Sequence, residues 1–476
     1  MTALNSLLSL LLASNVTFLS PANEIDVTHV RTNADVFESS PKNDPEQPLF
    51  LTPYIENRDI ERARFLSKVG KLPNSPDVPS YSGLLTVNKQ HDSNMFFWFF
   101  PALNNDTKAP VILWLQGGPG ASDLLGLYVL HGPYIIRKNL TVELRSHTWA
   151  KEFNVIYVDN PVGTGFSFTN HDDGYSKDQD HVADNLYEFL QQFFKVFHEY
   201  ASNDLYVIGE SYGGKYAPAI AYKLHVAGPP AQIKFKGIGI GNGLSDPETQ
   251  MNYSDYYYQL GLIDRKQAEI IRNSAEKAVQ HIRYGSYIQA REQFNNIVQD
   301  VPQEAHPNYL LQFAGYNYAY NFLQTEEPED HSYYKKYAEL PEFRNAIHVG
   351  NLTLNQPDKV RQFLIPDVMK SVKQKLVTIM NNYKVLIYNG QLDLTLPYVL
   401  MVDFLSKVEW KLSDEYKNAD RKIWRLDGKD EVAGYVHNVG DFYHVLVRSA
   451  GHMVPYEQPE YGLDMINRFI KGKPFA

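Results

Sequence analysis

Three side chains that could share one proton-transfer task stand far apart in this 476-residue chain: Ser211, Asp393 and His452. A serine hydroxyl becomes a nucleophile when an imidazole takes its proton and a carboxylate orients that imidazole. Each of the three follows a short apolar run. Ser211 lies in Gly209-Glu210-Ser211-Tyr212-Gly213 after Tyr206-Val207-Ile208, a strand-like stretch turning sharply into an apolar helix start. Asp393 ends the stretch Val385-Leu386-Ile387-Tyr388-Asn389-Gly390-Gln391-Leu392. His452 follows Val445-Leu446-Val447 and a short loop. His437 and His444 compete as the base, but His444 falls inside the strand pattern and not beyond it, so His452 ranks first. Taken singly, each residue has a structural alternative: a turn serine, a helix-capping aspartate, a loop histidine held by a carbonyl.

A fourth segment strengthens the set. Val111-Ile112-Leu113-Trp114-Leu115 runs into Gln116-Gly117-Gly118-Pro119-Gly120. A glycine-rich loop after a buried strand lets backbone N–H groups face a reaction centre, where they stabilise the negative charge that acyl transfer builds on a carbonyl oxygen. The expected oxyanion donors are the N–H groups of Gly118 and Tyr212. Apolar strands alternating with helical patterns predict an α/β fold around a mostly parallel sheet. The strand-serine-helix pattern, with the acid and base following in that order, is that of an α/β-hydrolase with its nucleophile elbow at Ser211. Strands are expected near Gly83, Val111, Val155, Leu205, Val385 and Val445, and helices near residues 180–200 and after Ser211.

Through these motifs, and through Asp159-Asn160-Pro161-Val162-Gly163-Thr164-Gly165, Gly241-Asn242-Gly243 and Gly451-His452-Met453-Val454-Pro455, the chain resembles the serine carboxypeptidase family, and within it the vitellogenic carboxypeptidase-like proteins. The resemblance covers most of the chain after about Phe50. It implies removal of single residues from peptide or protein C-termini, and a clamp for the free α-carboxylate built from Gln116, Gly117 and Glu210. Glu210 can hold a carboxylate only when it carries a proton, which predicts activity favoured at acidic pH. Two positions depart from the family pattern: Gln116 replaces a common Asn, and Leu130 stands where a second glutamate usually shares the proton. Weaker carboxylate recognition with hydrolysis retained is expected from Leu130. The resemblance also implies disulfides, yet the chain has no cysteine; the corresponding places are Ala121, Ala275, Ala278, Tyr316 and Thr325. Each missing bridge forfeits roughly 2 to 4 kcal/mol, and 33 tyrosines offer packing to compensate.

Residues 1–20 are read as a signal peptide and 21–79 as an N-terminal extension open to processing. Residues 80–245 and 369–476 should form the hydrolase core, and the tyrosine-rich residues 246–368 a helical cap insertion. Sequons at Asn15, Asn105, Asn139, Asn252 and Asn351 agree with passage through the secretory pathway. A secreted, lysosomal or storage-granule location is expected in spite of the missing cysteines. The net charge of −10 argues against nucleic acid as a partner, and no motif predicts a metal, a cofactor or a membrane span. Two other functions fit the same residues: acyl transfer to another acceptor, and a non-catalytic binding or storage role on a decayed hydrolase fold. A set of nucleophile, acid, base and oxyanion loop favours the peptidase.

Overall fold

The computed structural model describes residues 47–230, 233–298 and 308–475. The expected signal peptide, the Asn15 sequon and residues 21–46 of the expected extension lie outside these residues. The described residues form twelve strands: β1 (Tyr81–Asn88), β2 (Ser93–Phe100), β3 (Val111–Leu115), β4 (Tyr134–Ile136), β5 (Val142–Leu144), β6 (Asn154–Val158), β7 (Asp204–Glu210), β8 (Lys234–Gly241), β9 (Lys384–Gly390), β10 (Lys422–Arg425), β11 (Val432–Val439) and β12 (Phe442–Val447). Ten of them make one sheet in the order β1-β2-β6-β3-β7-β8-β9-β12-β11-β10, while β4 and β5 pair separately.

The strands from β6 through β12 in that order are parallel to their neighbours, and antiparallel strands close both edges. The central runs are apolar on consecutive residues because helices cover both faces of a parallel sheet. Leu113, Val207, Ile240 and Ile387 face a core shared with helix Gln179–Val196 and helix Gly213–Ala227. Ile112, Trp114, Ile208 and Tyr388 face the opposite core with helix Pro459–Lys471. Strand β3 pairs with β6 on one side and β7 on the other. Chain order reverses there, which opens a crevice at the carboxyl ends of the strands.

All six strands expected from the sequence are present, as are the helix following the elbow and the helix near residue 180. Between β8 and β9 the described residues contain helices and no strand. The longest is Arg265–Arg283, started by a capping box in which the Asp264 and Gln267 side chains each bond the other's backbone N–H. Ala275 and Ala278 are buried on this helix. The Asn317 N–H donates to the carbonyl of Thr325 at 3.0 Å, so hydrogen bonding closes the loop that carries Tyr316 and Thr325.

The packed fold begins earlier than residue 80. Leu49, Leu51, Ala63 and Leu72 are buried in the two cores. Leu51 N–H and the carbonyl of Leu49 bond both backbone groups of Leu84, and Ser82 N–H donates to Ser67 O at 2.8 Å. These residues cover β1, whose outer edge would otherwise present unpaired backbone groups. The mixed charges between Arg58 and Lys71 hide this role in the sequence.

Candidate active site

Five neighbouring parallel strands, β3, β7, β8, β9 and β12, each end in a loop that contributes to one site. After β7 the chain turns at Ser211, which adopts φ of +61°, a left-handed conformation uncommon for a residue with a Cβ. Tertiary bonds hold it: Ser211 N–H donates to Gly241 O at 2.9 Å, and Leu244 N–H donates to Ser211 O at 3.0 Å. Crowding explains one flanking glycine, because a Cβ on Gly209 would come within 2.7 Å of the Gly213 carbonyl.

Asp393 and His452 meet. The His452 Nδ1 lies 2.8 Å from Asp393 Oδ2, and both side chains are almost completely buried. With Nδ1–H donated to the carboxylate, Nε2 of the neutral ring is left as the basic nitrogen. The carboxylate has two further partners, Asn242 Nδ2 at 2.6 Å and Thr395 N–H at 2.7 Å. Asn242 also accepts Gly390 N–H through Oδ1 at 3.1 Å, joining the ends of β8 and β9. The rival histidines have structural places. His444 is buried, accepts or donates at Nδ1 with Tyr416 Oη at 2.8 Å and stacks on Tyr398; burial pushes its pKa down to about 3. His437 lies on β11, paired with His444 across the strands.

The loop after β3 is held from beneath by two buried aspartates. Asp123 accepts Gln116 N–H at 2.8 Å and Val158 N–H at 2.8 Å. Asp159 accepts Ser122 Oγ–H at 2.7 Å, Asp123 N–H at 2.9 Å and Phe166 N–H at 2.7 Å. Burial raises both carboxyls, Asp159 to about 6. Gly117 then passes so close to the elbow that a Cβ would sit 2.7 Å from both the Ser211 Cβ and the Tyr212 nitrogen. Gly118, Ser211 and Tyr212 line one small cavity, whose other walls include Leu244, Phe294 and Leu396.

Glu210 precedes the elbow and is fully buried. Its Oε1 accepts Gln116 Nε2–H at 3.0 Å, while Oε2 has no hydrogen-bond partner. Gln116 is itself oriented by Trp114, whose Nε1–H donates to Gln116 Oε1 at 3.1 Å. Burial raises the Glu210 pKa to about 7, against the lowering influence of His452 and the Gln116 bond. Leu130 is buried in the same core as Trp114 and Tyr128.

The sequence matches the family model described as serine carboxypeptidase over residues 71–472. The chain belongs to the serine carboxypeptidase family. It is 48% identical over 437 residues to the probable serine carboxypeptidase CPVL of Homo sapiens, covering 91% of each chain. It is 43% identical to the venom serine carboxypeptidase of Apis mellifera, covering 90% of this chain and 92% of that one. The vitellogenic carboxypeptidase of Aedes aegypti is 40% identical, with 90% and 92% covered. Among solved structures, the prohormone-processing carboxypeptidase Kex1(delta)p of Saccharomyces cerevisiae superposes with a TM-score of 0.73 at 23% identity, over 86% of this chain and 96% of that one. The α/β-hydrolase fold, the serine-type carboxypeptidase class and peptides as substrates are therefore properties of this chain.

Within this serine carboxypeptidase, several site residues escaped sequence reasoning. Asn242 carried a signal, since it sits in a Gly-Asn-Gly turn after a strand, as Ser211 sits after β7. Asp159 stood in a motif of the family resemblance but with no role attached, and Asp123 and Glu457 gave no signal, because a lone acid in a loop or short helix is most often solvated. Glu457 is partly buried, raised by burial to about 7, and close enough to Asp393 and His452 to feel both. A second ion pair also lies below the elbow. Lys215 Nζ meets Asp367 Oδ2 at 3.0 Å, both side chains buried, and the same oxygen accepts Tyr212 Oη–H at 2.8 Å and Gln179 Nε2–H at 2.7 Å.

Proposed function

We propose that this carboxypeptidase releases C-terminal amino acids through an acyl-enzyme on Ser211 and works best at acidic pH. The observation that carries the reading is the buried Asp393–His452 hydrogen bond at 2.8 Å in the same crevice as a serine held at an elbow. The Ser211 hydroxyl adds to the scissile carbonyl and its proton passes to His452 Nε2. The N–H groups of Gly118 and Tyr212 stabilise the oxyanion. His452 gives the proton to the departing amine, and water then releases the acyl group by the same steps in reverse.

Specificity for a chain end comes from Glu210, Gln116 and Gly117. A proton on Glu210 Oε2, the oxygen without a partner, lets that group donate to the substrate carboxylate while Oε1 keeps its bond from Gln116. With the Glu210 pKa near 7, the donor is present in acid and lost above neutrality. The helical residues 246–368 act as a cap, and the apolar walls of the Ser211 cavity, Phe294, Leu244 and Leu396, suit an apolar substrate side chain. The sequon asparagines Asn105, Asn139, Asn252 and Asn351 are all exposed, which supports glycosylation; a cleaved signal peptide and a secreted, lysosomal or storage-granule location complete this reading.

The test compares a blocked dipeptide with its C-terminal amide between about pH 4 and 7.5, the range in which a raised glutamate titrates. Release that requires Ser211, prefers the free carboxylate and declines toward neutral pH is expected. Equal turnover of acid and amide at every pH would remove the clamp from the reading, and full activity of Ser211→Ala would remove the acyl-enzyme.

A further inference from the structure

Residues 319–322 belong to the stretch between β8 and β9, yet they touch both loops that carry the acid–base pair. Leu394 N–H and Thr395 Oγ1–H both donate to Ala319 O, at 3.0 and 3.1 Å. Phe322 N–H donates to Leu392 O at 2.9 Å. Asp393 is thus gripped on either side. On the other flank, His452 N–H donates to Tyr320 O at 2.6 Å, and the Tyr320 ring packs against the imidazole with centroids 4.4 Å apart.

This strap is fastened by one carboxyl. Glu457 Oε2 accepts Gly451 N–H at 2.7 Å and Asn321 Nδ2–H at 2.5 Å. Gly451 immediately precedes the base, and a Cβ there would collide with Tyr320 O. Glu457 comes from the short helix Val454–Glu457 that follows the His452 loop. The same carboxylate oxygen therefore joins the strap, the loop and the helix beyond it.

We infer that Glu457 and Asn321 form a latch holding the strap against the His452 loop, which makes Glu457 a positioning residue for the base. The inference rests on the catalytic reading of Ser211, Asp393 and His452. The latch tolerates protonation: Oε1 has no hydrogen-bond partner and can carry the proton while Oε2 keeps both N–H bonds. The ionisable groups that interact with Glu457 are Asp393, His452, Glu210, Tyr318 and Tyr456. Ionisation of Glu457 adds a negative charge beside Asp393 and Glu210, and burial delays it to about pH 7.

The test uses the full chain and two readouts: peptide release, and the rate at which a fluorophosphonate modifies Ser211, which needs the base but no peptide. Asn321→Ala and Glu457→Ala should lower both rates by roughly 10- to 100-fold, in kcat more than in KM, as misplacement of a catalytic group does. Glu457→Gln, able to keep both acceptor bonds, should recover most of the loss and remove the contribution of this carboxyl to the pH profile near neutrality. Wild-type phosphonylation in folded Asn321→Ala and Glu457→Ala would overturn the inference. If Glu457→Ala does not fold, wild-type phosphonylation in Asn321→Ala together with an unchanged pH profile in Glu457→Gln would overturn it. Failure of the peptidase reading looks different: wild-type protein would release no amino acid, while phosphonylation of Ser211 would still depend on the latch.

Discussion

The two halves of the proposed site are built by different means. On the nucleophile side, Ser211 and the loop after β3 are fixed by backbone crowding, supplemented by the backbone bonds of Ser211 and the buried Asp123 and Asp159 beneath the loop. Gly209 lies against Gly213, and Gly117 against Ser211 and Tyr212, with no room for a side chain. On the base side, Asp393 and His452 are fixed by polar side chains and by a strap brought from the helical stretch between β8 and β9. The first half is announced by short glycine-containing motifs, although its partners come from separate segments around residues 117, 159, 211 and 241. The second is assembled from four segments, around residues 242, 320, 393 and 452. Steric exclusion does not titrate, whereas carboxyl and amide latches can be weakened one bond at a time.

That contrast predicts different responses to substitution. Asp393→Asn should lower kcat for the blocked dipeptide by about 10,000-fold, because the amide leaves His452 in the wrong tautomer, while the folded structure remains. Gly117→Ala should cost roughly 100-fold, through displacement of the elbow by a clash at 2.7 Å. Steady-state kinetics beside circular dichroism separates the cases. A Gly117→Ala enzyme with wild-type kcat would show that the nucleophile side is less crowded than its geometry indicates.

The halves also meet the helical stretch between β8 and β9 differently, and the Lys215–Asp367 pair ties the nucleophile side to it. Lys215 lies on the helix after the elbow, and Asp367 at the end of helix Asp358–Val368. Lys215 Nζ also bonds the carbonyls of Asp367 and Val368. Asp367→Ala would leave a buried ammonium without its counter-charge, and should destabilise the protein by about 3–5 kcal/mol in urea denaturation. Replacing both partners with apolar residues of similar volume should recover much of that loss. A double variant no more stable than Asp367→Ala would show that the bonds to Tyr212 and Gln179, and not the charge pair, dominate this tie.

The same difference decides what the sequence could reveal. Strand periodicity and glycine spacing announce β3, β7 and their loops, since local sterics leave few residues that fit. Asp393 and His452 were legible because each follows an apolar strand. Their supports were not: Asn321 and Glu457 are 136 positions apart, and nothing local marks either as a partner of the other. The contribution of residues 49–72 to the fold was hidden for a similar reason. Covering a strand edge requires backbone bonds, and these leave little imprint on side-chain pattern. The Asp123–Asp159 support of the loop after β3 is likewise a product of tertiary approach.

The smallest expected effect is on stability against pH, and it distinguishes the two halves by their carboxyls. Glu210 belongs to the nucleophile side and Glu457 to the base side, and burial raises both from 4.5 to about 7. A carboxyl raised on folding keeps its proton where the unfolded chain has lost it. Its contribution to stability is therefore full below about pH 4.5 and is lost as pH rises through 7. His348 and His444 act in the opposite sense: burial lowers them to about 4 and about 3, so their contribution is lost as pH falls below 6.5. The wild-type curve mixes these slopes, and the difference between wild type and variant isolates one group. Relative to Glu210→Gln, wild type should lose on the order of 3 kcal/mol between pH 4.5 and neutrality, measured by urea denaturation at each pH. Glu457, partly open to solvent, should give a shallower difference of the same sign. Equal slopes for the two variants would mean that the base side is as closed to water as the elbow, and that its latch is built of burial as much as of hydrogen bonds.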